Sequence, residues 1–250
     1  MEKISLVIIT YNEERNIGRC IDSAGGVADD IVVVDSFSTD KTIEIARSKG
    51  ARIVQHAFEG HIEQKNFAIT QAVYPLILSL DADEALSPEL ATSIKSVKEN
   101  RKSDAYLMNR LTNYCGQWIH HSGWYPDKKL RLWDSRKGKW GGMNPHDKFI
   151  MQAGSATSRL KGDILHYSYY SVEEHIRQVE KFSFIAARAY FEQKRKGAGI
   201  LMYLSPVAAF MRQYFLNFGF LDGHYGFTIC KNCAREKWLK YKNLLELKKG

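Results

Sequence analysis

The residues of this 250-residue chain best placed to do chemistry are carboxylates set at the ends of apolar runs. Asp81-Ala82-Asp83 follows Leu76-Ile77-Leu78-Ser79-Leu80. Two carboxylates one residue apart within a strand point to opposite faces, but at a strand-to-loop turn they can converge. Hard divalent ions take oxygen ligands, and Mg²⁺ is usually held by one or two carboxylates plus substrate phosphates. The same pair could instead be an acidic loop before the helix that starts at Pro88. Asp35 closes a second apolar run, Ile31 to Val34. It can accept from the imide N–H of uracil or from a ribose hydroxyl, or it can cap its loop, a task Asp40 suits better. Thr10-Tyr11-Asn12 ends the first run and offers a ring to stack on a base beside small polar groups. Asp147, near Gly141-Gly142, is a candidate general base, with a surface carboxylate beside Lys148 as the alternative. His166 is either a borderline metal ligand or a hydrogen-bonded structural histidine. Arg131 and Lys129 could neutralise a diphosphate or stand as solvated charges. His120-His121, Trp118, Trp124 and Trp140 could stack on sugar rings or pack in the core.

The elements that must position these groups alternate over the first hundred residues. Apolar runs at Ile4–Ile9, Ile31–Val34, Arg52–Val54 and Leu76–Leu80 read as strands. Glu13–Ala24, a segment from about Thr39, His61–Val73 and Pro88–Glu99 read as helices, the last with Pro in its first turn. Strands this apolar, separated by helices, predict a parallel sheet covered on both faces, with ligands bound beyond the carboxyl ends of the strands. That rule brings Thr10-Tyr11-Asn12, Asp35 and Asp81-Ala82-Asp83-Glu84 to one edge. Residues 104 to 166 hold short apolar pieces punctuated by Gly and Trp, which predicts a mixed or antiparallel extension. From Val172 the pattern is helical, broken at Gly197-Ala198-Gly199. The expected division is a catalytic domain over 1–168 and a helical region over 169–250.

Ile8-Ile9-Thr10-Tyr11-Asn12-Glu13, Val33 to Thr42, Gln64-Lys65-Asn66 and Asp81-Ala82-Asp83-Glu84 together resemble the inverting family-2 glycosyltransferases of GT-A fold. Tyr125-Pro126, Arg131-Leu132-Trp133, Asn144-Pro145-His146-Asp147 and Gly219-Phe220-Leu221-Asp222-Gly223 narrow the resemblance to bacterial lipopolysaccharide-core β-1,4-glucosyltransferases. The resemblance implies an α/β fold: a Rossmann-like nucleotide-binding sheet with a mixed extension and a C-terminal helical segment. It implies that Thr10, Tyr11, Asn12 and Glu14 line a nucleotide pocket, that Asp35 binds uracil, and that Lys65 faces the nucleotide or its phosphates. Asp81 and Asp83 would hold ribose and a Mg²⁺ or Mn²⁺ ion; from the residues themselves, Asp83, further along the turn, is the better metal ligand, and His166 could complete the site. The family's base is acidic, often in a His-Glu pair. Here His146-Asp147 stands in its place, and Asp for Glu shortens the reach by one methylene. The chemistry is coherent in itself: attack on an anomeric carbon needs a base for the acceptor hydroxyl and a Lewis acid for the diphosphate leaving group.

Composition sets the remaining limits. The net charge is +8, and seven of the basic residues lie between Lys231 and Lys249. No nucleic-acid-binding spacing accompanies that charge, so an anionic substrate or membrane surface is expected rather than nucleic acid. Cys230-x-x-Cys233 has no second ligand pair for zinc, and reduced thiols on a helix are expected. The absence of a G-x-G-x-x-G after the first strand argues against a dinucleotide-dependent oxidoreductase. The expected partners are a UDP-sugar donor and a glycan or glycolipid acceptor. The expected location is the cytoplasm, at the cytoplasmic face of the inner membrane. The apolar stretch 200–220 with its basic follower, through 249, is either a membrane-interface helix, a helix pair packed on the domain, or a dimer contact. Transfer to a polyprenyl phosphate, sugar nucleotidyltransfer, or an inactive sugar-binding scaffold are the competing functions.

Overall fold

The computed structural model describes residues 1–143 and 146–249, with Met143 and His146 as backbone only. It divides into two compact units: residues 1–110 with 127–167, and residues 111–126 with 168–250. The first unit ends at Tyr167, and the segment 111–126, placed in the catalytic domain by the expected division, falls in the second unit. The physical reason is local to the second unit: Tyr114 and Ile119 pack with Ile229, and Asp222 takes the backbone N–H groups of His120 and His121.

The first unit is built on a sheet of order β3-β2-β1-β4-β8-β6-β11-β5. Strands β1 (Ile4–Thr10), β2 (Asp30–Asp35), β3 (Arg52–Gln55) and β4 (Leu76–Asp81) are parallel. Side chains along β1, β2 and β4 alternate between two separate apolar clusters. Ile4, Leu6, Ile8, Val33, Leu76, Leu78 and Leu80 enter one, whereas Val7, Val32, Val34 and Ile77 enter the other. That is why these strands read as unbroken apolar runs: each face has a core of its own. Helices α1 (Ile17–Ser23), α2 (Thr42–Ser48) and α4 (Pro88–Glu99) contribute to the first cluster, and α3 (His61–Thr70) to the second.

The antiparallel extension consists of β5 (Glu84–Leu86), β6 (Ala105–Tyr114), β8 (Asp127–Asp134) and β11 (Thr157–Tyr169). A separate hairpin pairs β9 (Gly138–Met143) with β10 (His146–Met151). The short β7 (Gln117–Ile119) pairs with the end of β6 in the second unit. Gly162 has φ +87°, and a Cβ there would lie 2.3 Å from the Leu90 backbone nitrogen, so β11 passes the first turn of α4 where only glycine fits. That turn is capped by Ser87, whose hydroxyl accepts from Leu90 N.

Two helices start later than the periodicity predicts. Glu13 N–H donates to the Thr42 hydroxyl at 2.7 Å and Glu14 N–H to an Asp40 oxygen at 3.1 Å, so residues 13–16 form a turn before α1. Thr39 N–H goes to Asn12 Oδ1, and Asp40 accepts from Thr42 N–H, which delays α2 to Thr42. Side-chain bonds between the two loops thus replace the first helical turn of each.

The second unit is helical: α5 (Val172–Glu192), α6 (Ala198–Met211) and α7 (Gly223–Leu247). Between α6 and α7 lie a π-turn at Arg212–Leu216 and a 3-10 turn at Gly219–Asp222. Cys230 and Cys233 lie on α7, and all four cysteines are free thiols.

Candidate functional site

The register brings the expected strand ends together. Thr10 is paired with Asp35 across β1 and β2, and Ile9 with Asp81 across β1 and β4. Because β8 runs antiparallel to β4, with Leu76 opposite Asp134 and Leu78 opposite Leu132, the residues before Leu132, Lys129 and Arg131 among them, lie towards the same carboxyl edge.

Glu84 is the buried pivot of the turn at Ala82-Asp83. Its side chain has no exposure. One oxygen accepts from Asp81 N–H at 3.0 Å. The other accepts from Arg131 Nη2 at 2.8 Å and from Arg110 Nη1 at 3.2 Å. Arg131 also donates to Asp81 Oδ2 at 2.5 Å. Arg131 is therefore a buried strut between Asp81 and Glu84, which removes the expectation of a solvated charge there. Burial opposes the charge on Asp81, but Arg131 and Lys65 outweigh it and hold the carboxyl well below the usual carboxylate range. Burial likewise opposes the charge on Arg131, and Asp81 and Glu84 more than reverse it, raising the guanidinium above its ordinary value.

Lys65 joins this carboxylate to the candidate base. Its Nζ lies 3.1 Å from Asp81 Oδ1 and 2.9 Å from Asp147 Oδ2. The ammonium also sits 4.5 Å from the centre of the Trp140 ring. The neighbours of Lys65 fix it in place. Gln64 Nε2 donates to Ser36 Oγ at 3.0 Å, tying α3 to the loop after β2. Asn66 pairs with both backbone groups of Trp140 at 3.0 Å, tying α3 to β9. Asp147, opposite Gly142 in the hairpin, is thereby brought to Lys65. The side chain of His146, and Asn144-Pro145, lie outside the described residues.

Asp83 meets His166, with Oδ2 3.2 Å from Nε2. His166 reaches this point because β11 pairs with β5, placing it opposite Glu84. Among the described residues, no group of three or more His, Cys, Asp or Glu could hold a metal ion. A carboxylate and an imidazole side by side nevertheless suit a Mg²⁺- or Mn²⁺-type ion that takes its remaining ligands from a diphosphate and water. Glu13 lies near this pair: burial raises its carboxyl above the ordinary value, opposed by its bond from Asn16 and assisted by Asp83 and Asp40. Burial, then Glu84, Asp83 and Asp81, push the Cys20 thiol well up, which leaves it protonated and unreactive.

The remaining expected residues divide between exposed and engaged groups. Tyr11 is 57% exposed, open to a planar ligand. The Thr10 hydroxyl is buried with no hydrogen-bond partner among the described residues. Asn12 Oδ1 accepts from Thr39 N–H at 2.8 Å, and Glu14 Oε2 from Lys41 N–H at 3.0 Å, so both staple the loop after β2. Asp35 is buried and accepts from the Ser38 backbone N–H and hydroxyl. Lys129 pairs with Asp127 at 3.2 Å. Trp124 belongs to the second unit, where it packs with Tyr114, Tyr169 and His175. Sequence reasoning gave no separate role to Glu84, Arg110, Asn66 or Asp222. Only the acidic residue directly after Asp81-Ala82-Asp83 signalled the first of them.

Comparison with known proteins extends beyond these motifs. The model of Glycosyl transferase family 2 matches residues 5–157. A protein of Rickettsia bellii named an uncharacterized glycosyltransferase is 30% identical, covering 98% of this chain and 87% of its own. The lipopolysaccharide core biosynthesis glycosyltransferase LpsC of Rhizobium meliloti is 28% identical, covering 86% of this chain and 81% of its own. Among solved structures, TarS of S. aureus is 16% identical with a TM-score of 0.47 over 87% of this chain, which spans 45% of the TarS chain.

Proposed function

The chain belongs to glycosyl transferase family 2 and is a glycosyltransferase of GT-A-like fold, and we propose that it moves glucose from a UDP-sugar to a lipopolysaccharide-core or related glycan acceptor with inversion. The acceptor class is supported by the likeness to LpsC. The observation that carries the reaction is the gathering of Asp81, Asp147 and Arg131 around Lys65 and Glu84 at one sheet edge, beside Asp83 and His166.

In this reading the uridine lies along Thr10, Tyr11 and the loop that Asn12, Glu14 and Asp35 hold in place. The Tyr11 ring stacks on the base, and the unpartnered Thr10 hydroxyl gains a ligand bond. Asp81 accepts from a ribose hydroxyl. Asp147 takes the proton of the acceptor hydroxyl as that oxygen attacks the anomeric carbon from the face opposite the leaving diphosphate. Lys65 neutralises Asp81 and Asp147 in the absence of donor and turns its charge to the phosphates when donor binds, which frees Asp147. A Mg²⁺ or Mn²⁺ ion held by Asp83 and His166 would supply Lewis-acid stabilisation of the departing diphosphate.

Calorimetric titration of UDP with and without Mn²⁺ tests the donor side. UDP is expected to bind tightly only with Mn²⁺, and Asp83→Asn to weaken that binding by roughly tenfold or more. UDP binding that is absent, or indifferent to Mn²⁺, would sink the reading. A screen of UDP-sugars tests the rest: Asp147→Asn should lower turnover by about 10²–10⁴ while leaving UDP affinity in place. Unchanged transfer by that variant would remove Asp147 as the base.

A further inference from the structure

Helix α6 buries only Ala198. Ile200, Leu204, Val207 and Met211 recur along one side of it, at 70%, 62%, 63% and 50% exposure. The apolar surface does not stop with the helix. The π-turn and the 3-10 turn that follow leave Leu216 and Leu221 exposed at 72% and 59%. A surface helix of a water-soluble domain ordinarily turns charged residues outward, but from Gly197 to Met211 this segment has no charged residue on any side. Patches of this extent mark a surface that is covered in use.

We infer that α6 and the two turns after it form a docking surface for an anionic lipid bilayer. Length excludes a crossing: 14 residues span about 21 Å at 1.5 Å per residue, short of the roughly 30 Å apolar core of a bilayer. No described helix is long and apolar enough to cross. The segment therefore lies along the interface with its apolar side in the acyl boundary. Charge selects lipid over a second copy of the chain. From Gln193 to Leu221 there is no acidic residue, while Lys194, Arg195 and Lys196 precede the helix and Arg212 follows it, all exposed. Each cation near an anionic surface tightens binding by roughly fivefold. A symmetric dimer through the same patch would present these cations on both partners with no carboxylate in the segment to answer them. Aromatic rings at Tyr203, Phe215, Phe218 and Phe220 suit the headgroup level, where such side chains concentrate.

The inference stands apart from the donor and acceptor assigned above. Flotation of the full chain with phosphatidylethanolamine vesicles, with and without phosphatidylglycerol, tests it directly. Binding should be at least about tenfold stronger with phosphatidylglycerol and should fall with added salt. Leu204→Glu with Leu216→Glu should abolish it while leaving the circular dichroism spectrum and transfer to a soluble acceptor sugar intact. Lys194→Gln, Arg195→Gln, Lys196→Gln and Arg212→Gln together should remove most of the preference for the anionic lipid. No vesicle binding, or binding indifferent to phosphatidylglycerol, would overturn the proposal. So would a dimer in sedimentation that the double Glu variant dissociates while vesicles bind neither form.

Discussion

Glu84 carries more of the site's geometry than either aspartate before it. Its carboxylate takes three donors: Asp81 N–H, Arg131 and Arg110. A buried charge with good partners is close to neutral for stability, but removing one partner strands the others. Glu84→Gln would put a neutral amide where Arg131 and Arg110 share a carboxylate and leave each with one carboxylate, Asp81 and Asp127, so urea unfolding should show a loss of about 2–3 kcal/mol. The same variant should also lower transfer, because the Asp81 backbone loses its anchor. Glu84→Asp should restore neither fully, since the shorter side chain cannot keep all three donors. Wild-type stability in Glu84→Gln would show that the network is solvated and not buried.

The hairpin of β9 and β10 bears Asp147 and is separate from the main sheet. Asn66 on α3 holds it through both backbone groups of Trp140. Asn66→Ala would leave a Trp140 N–H and C=O to find other partners, at roughly 1–3 kcal/mol. Hydrogen exchange should then accelerate in the hairpin before the parallel strands, and turnover should fall more than UDP affinity. Uniform acceleration across the sheet would show that Asn66 supports the whole unit and not this hairpin. The helices and strands were unequally legible in the sequence. Strands β1, β2 and β4 could be read because each is buried on both faces, and α4 because Pro88 marks its first turn. The starts of α1 and α2 were misplaced because Asn12, Thr42 and Asp40 exchange bonds between loops some 26 to 29 residues apart. Gln64-Lys65-Asn66 was legible as a motif, but its three separate targets, Ser36, the Asp81–Asp147 pair and Trp140, were not, since none is near it in the chain. The burial of Arg131 was hidden for the same reason: its two acceptors lie about fifty residues earlier.

At the scale of the whole chain, the two compact units answer different demands. The first concentrates carboxylates and cations at a sheet edge. The second has a core of rings and one buried histidine, and presents the apolar face of α6. Gly226 and Gly219 approach so closely that a Cβ on Gly226 would lie 1.9 Å from the Gly219 carbonyl oxygen, and this crossing sets Asp222 to hold His120, His121 and Ser122. The motif Gly219 to Gly223 was visible in the sequence, but its partner segment, a hundred residues earlier, was not. His175 lies within the ring cluster, with its Nδ1 2.9 Å from the Tyr114 hydroxyl and 3.2 Å from Asn232 Nδ2. Burial pushes its pKa down from 6.5 to about 4. Between those values the unfolded chain takes up a proton that the folded chain refuses, so folding stability is full above about pH 6.5 and falls as the pH drops towards 4. The loss should approach roughly 3 kcal/mol from this one group. It should be read as a falling urea midpoint across that window, followed by far-UV circular dichroism. His175→Gln keeps a polar group beside Tyr114 and Asn232 but cannot titrate. The variant is expected to be less stable at pH 7 and to lose most of the slope between pH 6.5 and 4. A slope as steep as in the unaltered chain would place the acid sensitivity elsewhere in the molecule and discard His175 as its source.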